Sequence, residues 1–98
     1  MLIVHQRFVN EDLDAVQDTF FVSPDLADRI LAWVDAQGWP DDQWLVQRSP
    51  TKHNIGIGLV RRYSLEDDAD RELAHAQIAR LQDQWQNDPA IEWQIRDV

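Results

Sequence analysis

Three histidines, two serines beside helix starts and a run of acids are the groups in this 98-residue chain whose types could do chemistry. His5, His53 and His75 are far apart, and no two fall in the His-x-x-x-His spacing that places two ligands on one side of a metal. They read as two strand or loop histidines and one on a helix flank. The run Glu66-Asp67-Asp68-Ala69-Asp70 lacks the spaced oxygens and the glycine turn of a calcium loop. There is no cysteine, and neither Ser23 nor Ser64 has a base close by in sequence, so both serines are expected as helix caps rather than nucleophiles. No catalytic constellation and no cofactor is expected.

Charge is the chain's least ordinary property. Residues 43–63 hold Arg48, Lys52, Arg61 and Arg62 and no acid, a charge of +4, so the remainder carries −13 to reach the total of −9. An excess of that sign repels phosphate backbones and attracts basic surfaces. The expected partner is therefore a larger protein with a basic surface, not nucleic acid directly. On this reading Asp41, Asp42, Glu66, Asp67, Asp68 and Asp70 form the docking face, and Arg48, Lys52, Arg61 and Arg62 make a secondary contact. Local pairing of Arg61 and Arg62 with the acids that follow is the competing reading, and exposed pairs of that kind contribute about 0–1 kcal/mol each. Trp33 lies one position off an apolar helical stripe and Trp39 adjoins Pro40-Asp41-Asp42, the setting of an aromatic interface anchor.

The glycines of Gly56-Ile57-Gly58-Leu59-Val60 invite two further readings. The spacing matches the Gly-aromatic-Gly-aromatic-Val strand of RNA-recognition motifs, but aliphatic residues stand where bases would stack. A phosphate loop would need a third glycine and a helix directly after it. The glycines are instead expected to mark a close approach or a bulge on the sheet face away from the helices.

Local patterns set the elements that carry these residues. Residues 2–9 are rich in β-formers, with Leu2, Val4 and Phe8 on one face, and are followed by a polar turn at 10–14. A short run at 19–22 leads into Ser23-Pro24-Asp25, an N-cap, an N1 proline and an acid at the positive end of the macrodipole. The helix should run over 24–37 on Leu26, Ile30 and Val34, widened by Ala27 and Leu31 and stopped by Gly38 and Pro40. Two apolar runs around Pro50-Thr51-Lys52-His53-Asn54 predict a hairpin, with Trp44, Val46, Ile55, Ile57 and Leu59 at alternating positions. Ser64 with Asp67 is a variant capping box for a helix reaching about residue 86, whose apolar face is Ala74, Ile78, Leu81 and Trp85 with Leu73 on its flank. Ile91, Trp93 and Ile95 alternate in a last strand.

That order predicts one α+β domain, a ferredoxin-like split β-α-β-β-α-β with an antiparallel sheet and two helices on one face. Residues 19–22 are expected as the first core strand, and residues 2–9 as an additional edge strand or an arm for a partner. Ile3, Val9, Leu45 and Val60 would give the open face a modest apolar patch. A hydrophobic fraction of 44% with nine aromatic residues suffices for a core. The amino terminus does not read as a secretory signal, no stretch is long enough to cross a bilayer, and the lack of cysteine fits a reducing compartment, so a cytoplasmic protein is expected.

From Thr19-Phe20-Phe21-Val22 through the capped helix to Gly38-Trp39, the chain resembles the opening of the bacterial ribonuclease E inhibitor family, and Glu92-Trp93 stands near the place of that family's closing Tyr-Asp-Gly-Trp. The resemblance implies a small, acidic, ferredoxin-like protein that binds a larger enzyme. The functional expectation is a non-enzymatic inhibitor or regulator that blocks a nucleic-acid-handling protein, a description that phage inhibitors of host defence and bacterial immunity proteins share. The alternative is a self-associating domain, a homodimer, or a small-ligand sensor using the open sheet face.

Overall fold

Alternation along the strands decides the layers. In the computed structural model, which describes residues 1–48 and 56–97, β1 (Leu2–Asn10) and β2 (Ala15–Val22) are joined by a 3-10 turn (Glu11–Leu13). Then come α1 (Pro24–Ala36), β3 (Trp44–Arg48), β4 (Ile57–Ser64), α2 (Asp68–Trp85) and β5 (Glu92–Asp97). On one face of the central strands Ile3, Val16, Phe20, Val22, Ile57 and Leu59 join Leu26, Ala27 and Ile30 of α1 and Ala74, Ile78, Leu81 and Trp85 of α2 in one core cluster. Both helices therefore cover the same sheet face, as the sequence pattern predicts. Period-2 strands and 3.6-residue helices bury one side each only when stacked in this way.

The sheet order is β3-β4-β2-β1-β5. The split βαβ crossover holds, since β4 lies antiparallel between β2 and the edge strand β3. The last strand does not take its ferredoxin-like place beside β2, because β1 is inserted there, antiparallel to β2 and parallel to β5. Residues 2–9 are thus an interior strand and not an edge or a partner arm, and the sheet is mixed rather than wholly antiparallel. The physical reason is local. The Asn10 side chain accepts from Leu13 N at 3.2 Å and Asp14 adopts a left-handed φ of 48°, which reverses the chain and zips β1 onto β2 from Asn10↔Ala15 to Ile3↔Val22.

That register also corrects the faces. Ile3 and Val9 lie on the helix side with Val22 and Val16, while Leu2, Val4 and Phe8 share the open side with Leu45 and Val60. Strand β2 begins at Ala15, four residues before the run expected from apolar content.

At the helix starts neither serine supplies the side-chain cap expected of it. Ser23 is the N-cap residue of α1, but its Oγ accepts from Leu2 N at 3.0 Å and donates to Asp25 Oδ1 at 2.7 Å, tying the helix start to β1. Ser64 still belongs to β4, paired with Ala15, so Asp67 caps α2 instead by accepting from Asp70 N at 3.1 Å. Gly38 follows α1 at a φ of +71°. Gly56 has a φ of +97°, and a Cβ there would stand 2.5 Å from the Val22 carbonyl oxygen, so only glycine fits beside the β2–α1 junction. At Gly58 a Cβ would meet Gln47 and Phe21 at ordinary van der Waals distance, so no comparable restriction applies. Ile55, His53 and Lys52 lie outside the described residues.

Candidate protein-docking site

The acidic residues picked out by sequence fall at one end of the fold. Asp41 and Asp42 stand exposed in the turn before β3, and Glu66, Asp67 and Asp68 stand exposed around the start of α2. A continuous chain of hydrogen bonds joins the two groups across the sheet. Gln77 Nε2 donates to Gln43 Oε1 at 2.6 Å, beside Asp42. Gln77 Oε1 accepts from Trp44 Nε1 at 3.2 Å and from Arg61 Nε at 2.9 Å, and Arg61 Nη2 donates to Asp70 Oδ1 at 3.0 Å. Arg61 and Gln77 are each 2% exposed. A buried guanidinium has to be paired and hydrogen-bonded to be tolerated, and here all three of its nitrogens are engaged, Nη1 donating to the Arg62 carbonyl at 2.8 Å. The turn before β3 and the first turn of α2 are thereby tied to one another through Gln77 and Arg61.

The same geometry divides the basic residues. Arg61 points inward and is not available as a contact; of its expected companions, Arg48 and Arg62 are exposed, with Arg62 Nε donating to Gln17 Oε1 at 2.9 Å, and Lys52 lies outside the described residues. Asp70 pairs with Arg61 and Asp68 with Arg71 at 2.7 Å. Asp41, Asp42, Glu66 and Asp67 take part in none of the ion pairs found among the described residues.

Beside Asp41 the indoles are packed together. Trp39 stacks on Trp44 with centroids 5.6 Å apart and planes 17° from parallel, and Trp33 meets Trp39 edge-on at 5.6 Å and Trp85 at 6.5 Å. Trp44 is buried, whereas Trp33 and Trp39 are half-buried against the core. A cavity of about 140 Å³ opens between α1 and β3, lined by Val34, Asp35, Trp39, Pro40, Asp41 and Trp44.

Sequence reasoning missed a second polar cluster on the helix side of the sheet. Asp18 is fully buried, and its Oδ1 lies 2.7 Å from His5 Nε2 and 3.0 Å from Arg7 Nε. Its Oδ2 accepts from the Tyr63 hydroxyl at 2.8 Å. Burial pushes the Asp18 carboxyl up, but the hydrogen bonds from His5, Arg7 and Tyr63 outweigh it and hold the group below the usual carboxylate range. Burial pushes the Tyr63 phenol up as well, and Asp18 adds to it, so that it reaches about 12. The His5 ring stacks on Phe20 at 4.3 Å, which fixes its orientation. The signal was present in the alternation: Asp18 falls in phase with Val16, Phe20 and Val22, and His5 and Arg7 fall in phase with Ile3, so the inward rows carry opposite charges on neighbouring strands. His75, by contrast, is exposed and rests edge-on against Tyr63 at 5.5 Å.

Other chemistries find less support. Among the described residues no three His, Cys, Asp or Glu side chains converge as a metal site requires. No helix among them is long and apolar enough to cross a membrane. Ile57 and Leu59 face the helices and are buried, so those two positions present no platform for bases on the open face. Compared with protein-family models, with curated proteins and with solved structures, the chain matches none.

Proposed function

We propose that this protein is a non-enzymatic, protein-binding inhibitor or regulator that docks its acidic end on a basic surface of a larger, nucleic-acid-handling protein. One observation carries the reading. Within the acidic end Arg61 is paired with Asp70 and Arg71 with Asp68, while Arg7 lies on Asp18 and Arg29 over the Trp85 ring at 5.2 Å, so none of these cations pairs with the remaining acids. Asp41, Asp42, Glu66 and Asp67 are left exposed on a common support. The likeness of residues 19–39 to the ribonuclease E inhibitors points the same way. Complementary charge of this kind raises the association rate and selects among partners.

The test compares the wild type with a protein carrying Asp41→Lys, Asp42→Lys, Glu66→Lys and Asp67→Lys as baits in a cell lysate. The expected result is a protein retained by the wild type, released by added salt and absent from the reversed bait. Retention that survives both salt and reversal removes the electrostatic claim.

A second reading, self-association or binding of a small apolar ligand, is favoured by Phe8 and Leu13, which are 49% and 73% exposed beside a cavity of about 280 Å³ shared with Ala15 and Arg62. Sedimentation as a strict monomer, with no thermal shift across a metabolite panel, counts against it.

A further inference from the structure

We propose that the cavity between the C-terminal end of α1 and the start of β3 is a receptor for an arginine side chain presented by the docked protein, an inference that rests on the docking reading above. It is lined by the indoles of half-buried Trp39 and buried Trp44 and by Asp35 and Asp41, both exposed residues. A cation over an indole is attracted by the negative face of the ring, and carboxylates at its edge complete the recognition.

The polarity of the backbone adds to this. The carbonyl end of a helix favours a positive charge. The last turn of α1 has no basic residue and carries Asp35 instead. The Gln37 side-chain amide donates to the Trp33 carbonyl at 2.9 Å, which leaves that end without a positive charge of its own.

The site is also built in advance. Trp44 is held by its Nε1 bond to Gln77, Trp39 is stacked on Trp44, and Trp33 closes on Trp39 from the edge, so little ordering remains to be done when a side chain arrives. A volume of about 140 Å³ admits the head group of a side chain and not a nucleotide. Arginine fits better than lysine because a planar guanidinium stacks on an indole and offers paired donors to a carboxylate, whereas an ammonium does neither.

The experiment titrates the isotopically labelled protein with acetyl-Gly-Arg-Gly-amide, following the indole N–H signals of Trp39 and Trp44, with the lysine and citrulline peptides as comparisons. The arginine peptide is expected to shift those two signals saturably, the lysine peptide several-fold more weakly, and the uncharged citrulline peptide not at all. Trp39→Leu and the exposed double change Asp35→Asn/Asp41→Asn should each weaken the arginine peptide roughly three- to tenfold. Equal shifts with citrulline, or shifts confined to other parts of the protein, overturn the proposal, and equal affinity for lysine overturns the choice of arginine. The peptide titration is independent of the lysate result. If the charge-reversed bait loses its partner but the indole signals never move, the pocket assignment fails and docking stands. If the indoles respond to arginine but capture ignores salt and reversal, the docking reading fails and the pocket stands.

Discussion

Asp18 and Asp67 are the same residue in opposite situations. Asp18 is fully buried in the middle of β2, where its two oxygens accept from His5, Arg7 and Tyr63. Asp67 is exposed at the start of α2, accepts one backbone N–H and has no ion-pair partner among the described residues. The first is part of what holds the sheet together, and the second stands in solvent. A formal charge count treats them alike, so net charge describes this protein only after burial has sorted its carboxylates.

The contrast breaks most readily at Asp18. Asp18→Asn leaves Arg7 without its countercharge and turns amide protons toward donors, and should cost about 3–5 kcal/mol in urea unfolding. Asp67→Asn keeps a capping oxygen and should change stability by less than about 0.5 kcal/mol. Equal effects would mean that the interior network contributes little to the fold.

Neighbouring arginines give a second version of the same test. Arg61→Met strands Gln77 and Asp70 and should cost about 3–5 kcal/mol, whereas Arg62→Met, one residue along on the open face, should stay within about 0.5 kcal/mol. Thermal unfolding of the two variants side by side reads the difference.

Titration sharpens the comparison at a smaller scale. The Asp18 carboxyl is held below its ordinary value, so it binds more protons unfolded than folded in the acid range. Its contribution is present above the unfolded value near about 4 and is lost as pH falls through the lower folded value. Tyr63 runs the other way: its stabilisation is present below the unfolded value near about 10 and is lost as pH rises toward the folded value of about 12. Tyr63→Phe should cost about 1.5–3 kcal/mol at neutral pH and flatten the alkaline decline in stability. An unchanged alkaline decline in that variant would place its origin in another group.

The smallest effects belong to the acidic end. Neutralising Asp41 and Asp42 together should leave unfolding within about 0.5 kcal/mol of the wild type. A large loss of stability there would show those carboxylates to be structural, and would weaken the case that they serve a partner.

Much of this was legible along the chain. The N1 proline, the Leu26/Ile30 stripe and Gly38 located α1 to within a residue, and Ala74, Ile78, Leu81 and Trp85 are all buried as their spacing required. Ser64 shows where such reasoning stops. It satisfies the local form of a capping box, but pairing with Ala15 keeps it in the sheet and moves the cap to Asp67. Asp18 shows the same from the other side: in a one-dimensional pattern an aspartate ends a strand, and only the donors brought from β1 and β4 make it tolerable inside one.

By itself the sequence determined the limits of α1, the apolar face of α2 and the excess of acid, because caps, periods and charge are properties of near neighbours. Tertiary structure alone decided that β1 lies inside the sheet and that Arg61 faces inward. Both follow from strand register, the first from the pairing of residues 2–7 with residues 92–97 across almost the whole chain and the second from the pairing of Arg61 with Asp18 and Trp44. Period-2 alternation has no phase of its own: β1 carries apolar side chains on both faces, and the partner strands determine which face the helices cover.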